Sequence, residues 1–460
     1  MHFGTPRKRM SSGCRQTVYH ARVRLASHIF LTDILSTCSL PMRWSCLSIP
    51  VATSGTRLPG RSSGSKSAAA LLCFLSAMSF PGLAAAAELS YQPAIDLAIG
   101  HDDNPTLTTG PHEKVWTTTV VPRINWAKTT EISGVSFDLL LNGTKYSGSQ
   151  VPDTSAAILS WSSFLETTER TRWGLDGELR QDTLWETIQT TPGVGDLQDT
   201  DVGLVSQKVR RDWREARPSW RYQLSERSSL GLRYRITDVG FSNTSGTGLQ
   251  DYKNQQLSTT YSRAITRKDN LNVTVNRFAY RPSQTDTKSD TTQLLAGISH
   301  AYSETARGRF SAGVGKTSET SSTGTDHSSS FVLEAGMTQR SELTTLDSVI
   351  SRDVQPSGVG QSVISDQFRM YVARKISPLL DLVVTAKVFR NHVLKGSDPS
   401  VDRRFYQLIP ALNWRWSPAW TFGTQYSYTR QKFDADPNAA ESNALYLTAS
   451  YAWLPHVASR

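Results

Sequence analysis

The chain has 460 residues, 38% of them hydrophobic and 20% charged. That is too little apolar material for a bundle of membrane helices, and no run of eighteen apolar residues exists to build even one. The formal charge of +10 belongs to the start: residues 1–87 hold ten Lys/Arg and one acid, Asp33. The other 40 basic and 39 acidic residues nearly cancel, so no nucleic-acid footprint is left.

Cysteine divides the same way. Cys14, Cys38, Cys46 and Cys73 all precede residue 88, and a cysteine-free body suits a protein that crosses an oxidising periplasm before folding. Arg57, Arg61 and Lys66 precede an apolar run from Ala68 to Phe80, followed by Pro81-Gly82-Leu83 and Ala84 to Ala87. This is the order of a secretory signal, with cleavage expected near Ala86 or Ala87; a buried core helix is the competing reading. Leu72 is too large to make Cys73 a lipid-attachment site. Residues 1–50 are basic and patternless, and translation is expected to start downstream, at Met42 or at Val51.

Beyond Ala87, polar turn clusters recur. They fall at Lys128–Glu131, Glu166–Arg170, Ser225–Ser228, Thr266–Asp269, Ser303–Ala306, Gln339–Glu342, Ile376–Pro378 and Trp416–Ala419, most of them about 36 to 42 residues apart. The repeated unit is a hairpin, and longer Gly/Asp/Asn/Pro/Ser segments separate the units. Among these segments are His101 to Pro111, Gly148 to Asp153, Thr190 to Asp199, Ser242 to Gly248, Glu319 to His327, Gln355 to Gln361 and Asp434 to Glu441. Eight turns, each between two strands, plus one strand at either end predict eighteen.

The strands alternate by face. Leu89, Tyr91, Pro93, Ile95, Leu97 and Ile99 oppose Ser90, Gln92, Asp96 and Gly100. Leu382, Val384, Ala386 and Val388 oppose Asp381, Thr385 and Lys387. The stretch Gly203 to Leu224, crowded with arginine, is the least regular and reads as one long strand kinked near Pro218. The last strand, Ala444 to Trp453, places Leu445, Leu447, Tyr451 and Trp453 on a face fit for lipid, against Tyr446, Thr448 and Ser450. A soluble β-sandwich also alternates. The number of consecutive strands, the signal, and Trp/Tyr gathered near strand ends weigh against it.

The predicted architecture is therefore all-β: an up-and-down antiparallel transmembrane barrel of about 18 strands over residues 88–453. It has short periplasmic turns, longer extracellular loops and a periplasmic tail at 454–460. Projecting the alternation inward gives a wall of Arg123, Arg180, Arg221, Arg233, Arg235, Arg369, Lys375, Lys387 and Arg415 with Asp96, Asp138, Asp176, Glu178, Glu334 and Asp381. Such a wall either favours anionic solutes or is internally paired and merely wet.

For Asp102-Asp103-Asn104 an Asx-type turn is the favoured reading over calcium binding. Neither Gly-x-Ser-x-Gly nor His-Glu-x-x-His occurs, so no enzyme, cofactor or metal centre is expected.

The run His101-Asp102-Asp103-Asn104-Pro105-Thr106-Leu107-Thr108, together with Ser219 to Ser228, resembles outer-membrane β-barrel porin families of the β-barrel porin 2 type. Such families are similar to proteins encoded with exopolysaccharide or capsule assembly systems. The resemblance implies an outer-membrane location, with membrane lipid and the barrel-assembly machinery as partners. It also implies a passage for polysaccharide, with a periplasmic export protein and an anionic polysaccharide as further partners. A general or small-solute porin, or a plugged structural or adhesin-like barrel, are the alternatives.

Overall fold

The computed structural model describes residues 87–149, 151–184, 208–322, 324–394 and 401–459. The leader and the expected loop Thr190 to Asp199 lie outside these residues. From the N-terminus the strands are β1 (Glu88–Asp102), β2 (Val115–Thr129), β3 (Ser133–Tyr146), β4 (Thr154–Thr168), β5 (Thr171–Thr183) and β6 (Arg210–Ser225). They continue with β7 (Ser228–Ser242), β8 (Tyr252–Ala264), β9 (Asp269–Pro282), β10 (Lys288–Ala301), β11 (Ala306–Ser321) and β12 (Gly324–Arg340). The last are β13 (Thr344–Pro356), β14 (Ser362–Lys375), β15 (Leu380–Val393), β16 (Arg403–Arg415), β17 (Trp420–Phe433), β18 (Ala440–Ala452) and the short β19 (His456–Ser459).

Each strand from β1 to β17 pairs antiparallel with the next, and β18 returns to β1, from Ala94↔Ala452 to Asp102↔Ala444. Eighteen strands thus close on themselves. After Trp453-Leu454-Pro455 the chain rejoins the same edge, where β19 pairs Tyr91↔His456 through Glu88↔Ser459. Residues 456–459, within the expected tail, therefore cover the start of β1 that β18 leaves open. All eight predicted turn clusters lie on one rim.

Closure follows from the sequence pattern meeting the pleat. On β1 the inward Ala94, Asp96, Ala98 and Asp102 are buried, while Leu97 and Ile99 are 42% and 56% exposed. Across β9 to β12 a single register row, Val275↔Leu294↔Val314↔Phe331, points outward. Its four side chains are 44%, 53%, 59% and 54% exposed. Among the described residues none covers this apolar belt, and lipid is the solvent that suits it.

Below the belt, at the short-turn rim, aromatic rings gather where membrane meets water. Trp173 contacts Trp220, and Trp414 stacks on Trp416. Trp420 meets Tyr451 at 4.9 Å, and Tyr451 meets Trp453 at 4.7 Å. On the closing strand Leu445, Leu447 and Trp453 are 54%, 65% and 45% exposed, with Trp453 one residue past the end of β18.

Two expectations change. The segment Glu319 to His327 is not a long loop. β11 and β12 stay paired up to Ser321↔Gly324, because Ser and Thr are β-competent once a partner strand is present. The Thr320 and Thr325 hydroxyls bond across the hairpin at 3.2 Å. Of the expected strand Gly203 to Leu224, residues 203–207 lie outside the described residues; β6 begins at Arg210 and keeps one register past Pro218, where Ala216↔Ile236 and Ser219↔Arg233 flank the unbridged positions. Proline removes an amide donor there without bending the strand off its neighbour.

An Arg in place of Leu294 or Val314 is expected to cost roughly 2–4 kcal/mol, whereas Thr292→Arg, nearer the long-loop rim, should cost at most about 1 kcal/mol. Equilibrium urea unfolding in lipid vesicles measures both; equal costs would mean that the belt lies elsewhere.

Candidate channel lumen

The inner wall is polar by construction. Strand parity places Arg221 on the face of the buried Arg211 and Glu215, and Arg233 on that of the buried Thr237. Arg369 shares the side of the buried Ser365, and Lys387 is itself buried. Asp138, Asp176 and Glu178 share the face of the buried Asn142, Thr144, Arg180 and Asp182.

Several of these charges are held by neighbours. Arg123 reaches Asp96 at 3.4 Å, Arg415 reaches Asp381 at 3.0 Å, and Arg309 reaches Glu334 at 2.7 Å. Arg180 bonds Glu178. Arg217 and Arg235 share Glu215 at 3.3 and 3.8 Å, and Thr237 donates to the same carboxylate. Ser162 donates to Asp176 at 2.6 Å. Among the described residues Arg221, Arg233 and Arg369 have no carboxylate partner.

Sequence reading missed Glu215, Arg217 and the Arg211–Asp182 pair, because the arginine crowding disguised the alternation of β6. Arg211 and Asp182 are each 1% exposed and join through two bonds of 2.8 and 3.0 Å. That fork is the geometry in which a buried guanidinium is tolerated.

One end of the wall folds inward. β12 pairs β13 only from Arg340↔Thr345 to Leu333↔Arg352, although β11 and β12 run on together for nine more residue pairs. Past Arg352 the chain leaves β12 and meets strands on the other side of the hairpin. Gln293 of β10 donates to Asp353 at 2.7 Å, and Ser362 donates to Ser289 of β10 at 2.9 Å. Tyr280 of β9 donates to the Ser357 carbonyl at 2.6 Å, and Gln250 N–H donates to the Gly358 carbonyl at 2.8 Å. Two strands stand between β10 and β13, so three strand spacings of about 4.8 Å separate them along the wall. Direct bonds across that gap put residues 353–361 inside the barrel.

Two recesses flank this segment. One of about 310 Å³ is lined by Arg235, Gln293, Glu334, Asp353, Arg369 and Lys387. The other, about 620 Å³, is walled by amides and hydroxyls of β8 and β9, among them Asn254, Gln256, Ser258, Asn272, Thr274 and Asn276.

The first extracellular loop also turns in. Leu107, at φ 49°, is 3% exposed and packs against Phe389, Phe405 and Ala440. It is held there by the Asp-Asp-Asn motif. Asp102 Oδ1 accepts from Asn104 N–H and from Ser442 Oγ, both at 2.9 Å. Asp103 accepts from the Asn443 backbone and side chain at 2.7 and 3.0 Å. The Asn104 amide donates to the Thr108 and Glu441 carbonyls at 2.9 Å each and accepts from Thr108 N–H. The motif is an Asx turn that also fastens β1 to β18, so its oxygens are spent on the chain's own donors. Among the described residues no three His, Cys, Asp or Glu side chains are placed to hold a metal ion.

What these strands build is a closed, up-and-down antiparallel β-barrel of eighteen strands with an apolar outer belt and a polar inner wall. No protein-family model matches the sequence, and no curated protein matches it. Solved structures similar to it include Acinetobacter baumannii OccAB2, at 10% identity, TM-score 0.42, and coverage of 79% of this chain and 98% of that one. Pseudomonas aeruginosa OccK2 (OpdF) in complex with glucuronate is 9% identical, with TM-score 0.42 and coverage of 79% and 97%. The outer membrane protein OpdK of Pseudomonas aeruginosa is 8% identical, with TM-score 0.41 and coverage of 80% and 99%. Likeness this distant says nothing about a solute.

Asn104→Ala is expected to lower barrel stability by about 1–3 kcal/mol, since it strands buried backbone groups at the β1–β18 seam. The loss of the heat-resistant electrophoretic form at lower temperature measures it. Asp436, in the loop after β17, accepts from Thr109 Oγ1 and from Asn438 N–H, which hold its carboxyl below the usual aspartate range. A depressed folded-state value means that the tie between the two loops is present above the ordinary aspartate pKa and is lost as pH falls through the lower one. Amide exchange of residues 105–112 should therefore quicken in strongly acidic buffer, and Asp436→Asn should remove that dependence.

Proposed function

We propose that the barrel is a diffusion channel for small hydrophilic solutes, with a mild preference for anions. The observation that carries this reading is the inward course of residues 353–361, tied to β9 and β10 by Tyr280, Ser289 and Gln293. A segment bonded inside the barrel narrows the path and favours solutes of small cross-section. The anionic preference is supported by Arg221, Arg233 and Arg369, which have no carboxylate partner among the described residues, in the polar wall that sets selectivity.

A passage for exopolysaccharide is the second reading. It is supported by the amide- and hydroxyl-rich wall of β8 and β9, whose donors and acceptors match sugar hydroxyls. The two readings diverge on size. Proteoliposomes swollen in a series from monosaccharides to long oligosaccharides should admit only the short ones under the first; equal rates along the series would leave the second. The refolded protein is expected to cleave neither ester nor peptide substrates.

Bilayer recordings in a salt gradient should give a reversal potential of the anion-selective sign. Arg233→Gln with Arg369→Gln is expected to lower the anion-to-cation permeability ratio by roughly a factor of two, the scale of a screened charge several ångström from the ion path. Gln293→Ala with Ser289→Ala should raise single-channel conductance by freeing the 353–361 segment. Cation selectivity in the native channel would end the anionic reading.

A further inference from the structure

On the outer surface near the long-loop rim, three cations stand in one register row on adjacent strands. Arg390 of β15 lies opposite Arg404 of β16, and Arg404 lies opposite Lys432 of β17. All three share the outward parity of Val388, Tyr406 and Leu408. Like charges directly opposite one another destabilise a sheet, and at a strand spacing of about 4.8 Å these three sit within reach of a single anion.

The nearby acids offset the row only in part, Asp436 acting on Lys432 at a distance without an ion pair. Asp434 pairs with Arg404 at 3.5 Å, Glu441 is engaged by Arg430 at 3.4 Å, and Asp366, beside Arg390 on β14, by Arg352 at 3.3 Å. Arg390 and Lys432 have no ion pair or hydrogen bond among the described residues. Arg390 is exposed, and the Arg404 side chain is 47% exposed.

The position matters as much as the charge. The next outward row, two residues or about 7 Å along the strands, holds Phe368, Val388 and Tyr406 beside Arg430, which is paired with Glu441, and Leu408 follows; Tyr406 and Leu408 are each 46% exposed. The cations therefore border the apolar belt at the height where hydrocarbon gives way to headgroups. Guanidinium forks match phosphate oxygens, and a flexible ammonium beside them adds a third donor set.

We propose that Arg390, Arg404 and Lys432 form an outer-surface site for the phosphate group of an outer-leaflet glycolipid, whose acyl chains lie against Val388, Tyr406 and Leu408. The adjoining apolar surface selects a lipid over free phosphate, because burying it adds to the charge contacts. The site is independent of what the lumen passes.

The test uses the mature protein extracted from outer membranes in mild detergent. Native mass spectrometry would titrate it with a bisphosphorylated, acylated glucosamine disaccharide and with the dephosphorylated form of the same lipid. The native barrel should bind the phosphorylated lipid at least about tenfold more tightly than the dephosphorylated one, and Arg390→Gln with Lys432→Gln should lose that advantage. Heat-modifiable mobility and conductance of the variant should stay as in the native protein. Should the double variant not assemble, Lys432→Gln alone must weaken binding several-fold while Arg390→Lys largely keeps it. Equal affinity for both lipids, no effect of the substitutions, displacement by millimolar inorganic phosphate, or occupation of the row by a second copy of the chain would each overturn the proposal.

Discussion

In hydrocarbon no water is present to take up an unpaired amide or carbonyl, and each one left open costs several kcal/mol. The nine-residue pairing of β18 with β1, extended by β19, is what spares this chain such an edge. Everything else follows from that seam. Once it closes, one set of side chains must face lipid and the other water. The seam is reinforced where it meets the outside, because Asp102, Asp103 and Asn104 spend hydrogen-bonding capacity on residues 441 to 443 of β18.

The interior shows how a polar wall is kept stable without becoming inert. Carboxylates shared among neighbouring arginines, as at Glu215, hold several cations in fixed positions. Arg233 and Arg369 have no such carboxylate among the described residues, so their charge is not offset by an ion pair. The departure of β13 from β12 adds shape to this charge. An otherwise uniform cylinder acquires a narrow level where Asp353 and Ser357 meet residues from β9 and β10. The stability and the charge of the wall thus draw on the same side chains, arranged by which neighbour each strand brings alongside.

The outer surface carries a division of its own. Tryptophan and tyrosine crowd the short-turn rim, while arginine and lysine outnumber aromatics toward the other. Rings suit an interface of glycerol and water, and guanidinium groups suit phosphates.

Much of this was legible in the residues alone. Alternation with a period of two, eight polar turn clusters and a charge-balanced, cysteine-free body define a barrel of eighteen strands with a polar inside. That is because inward or outward direction in a strand depends only on position along it. Asn104 could be read as a turn residue, since an Asx turn is local. What required the tertiary structure was every relation between strands far apart in sequence: Arg211 with Asp182, Gln293 with Asp353, and Arg390 beside Arg404 and Lys432. Such partners are set by register and by where a strand leaves its neighbour. Glu319 to His327 shows the converse, a loop by composition that a facing strand turned into sheet. The physical reason is common to all of them: a side chain's direction is decided by its own backbone, whereas its partner is decided by how the whole ring closes.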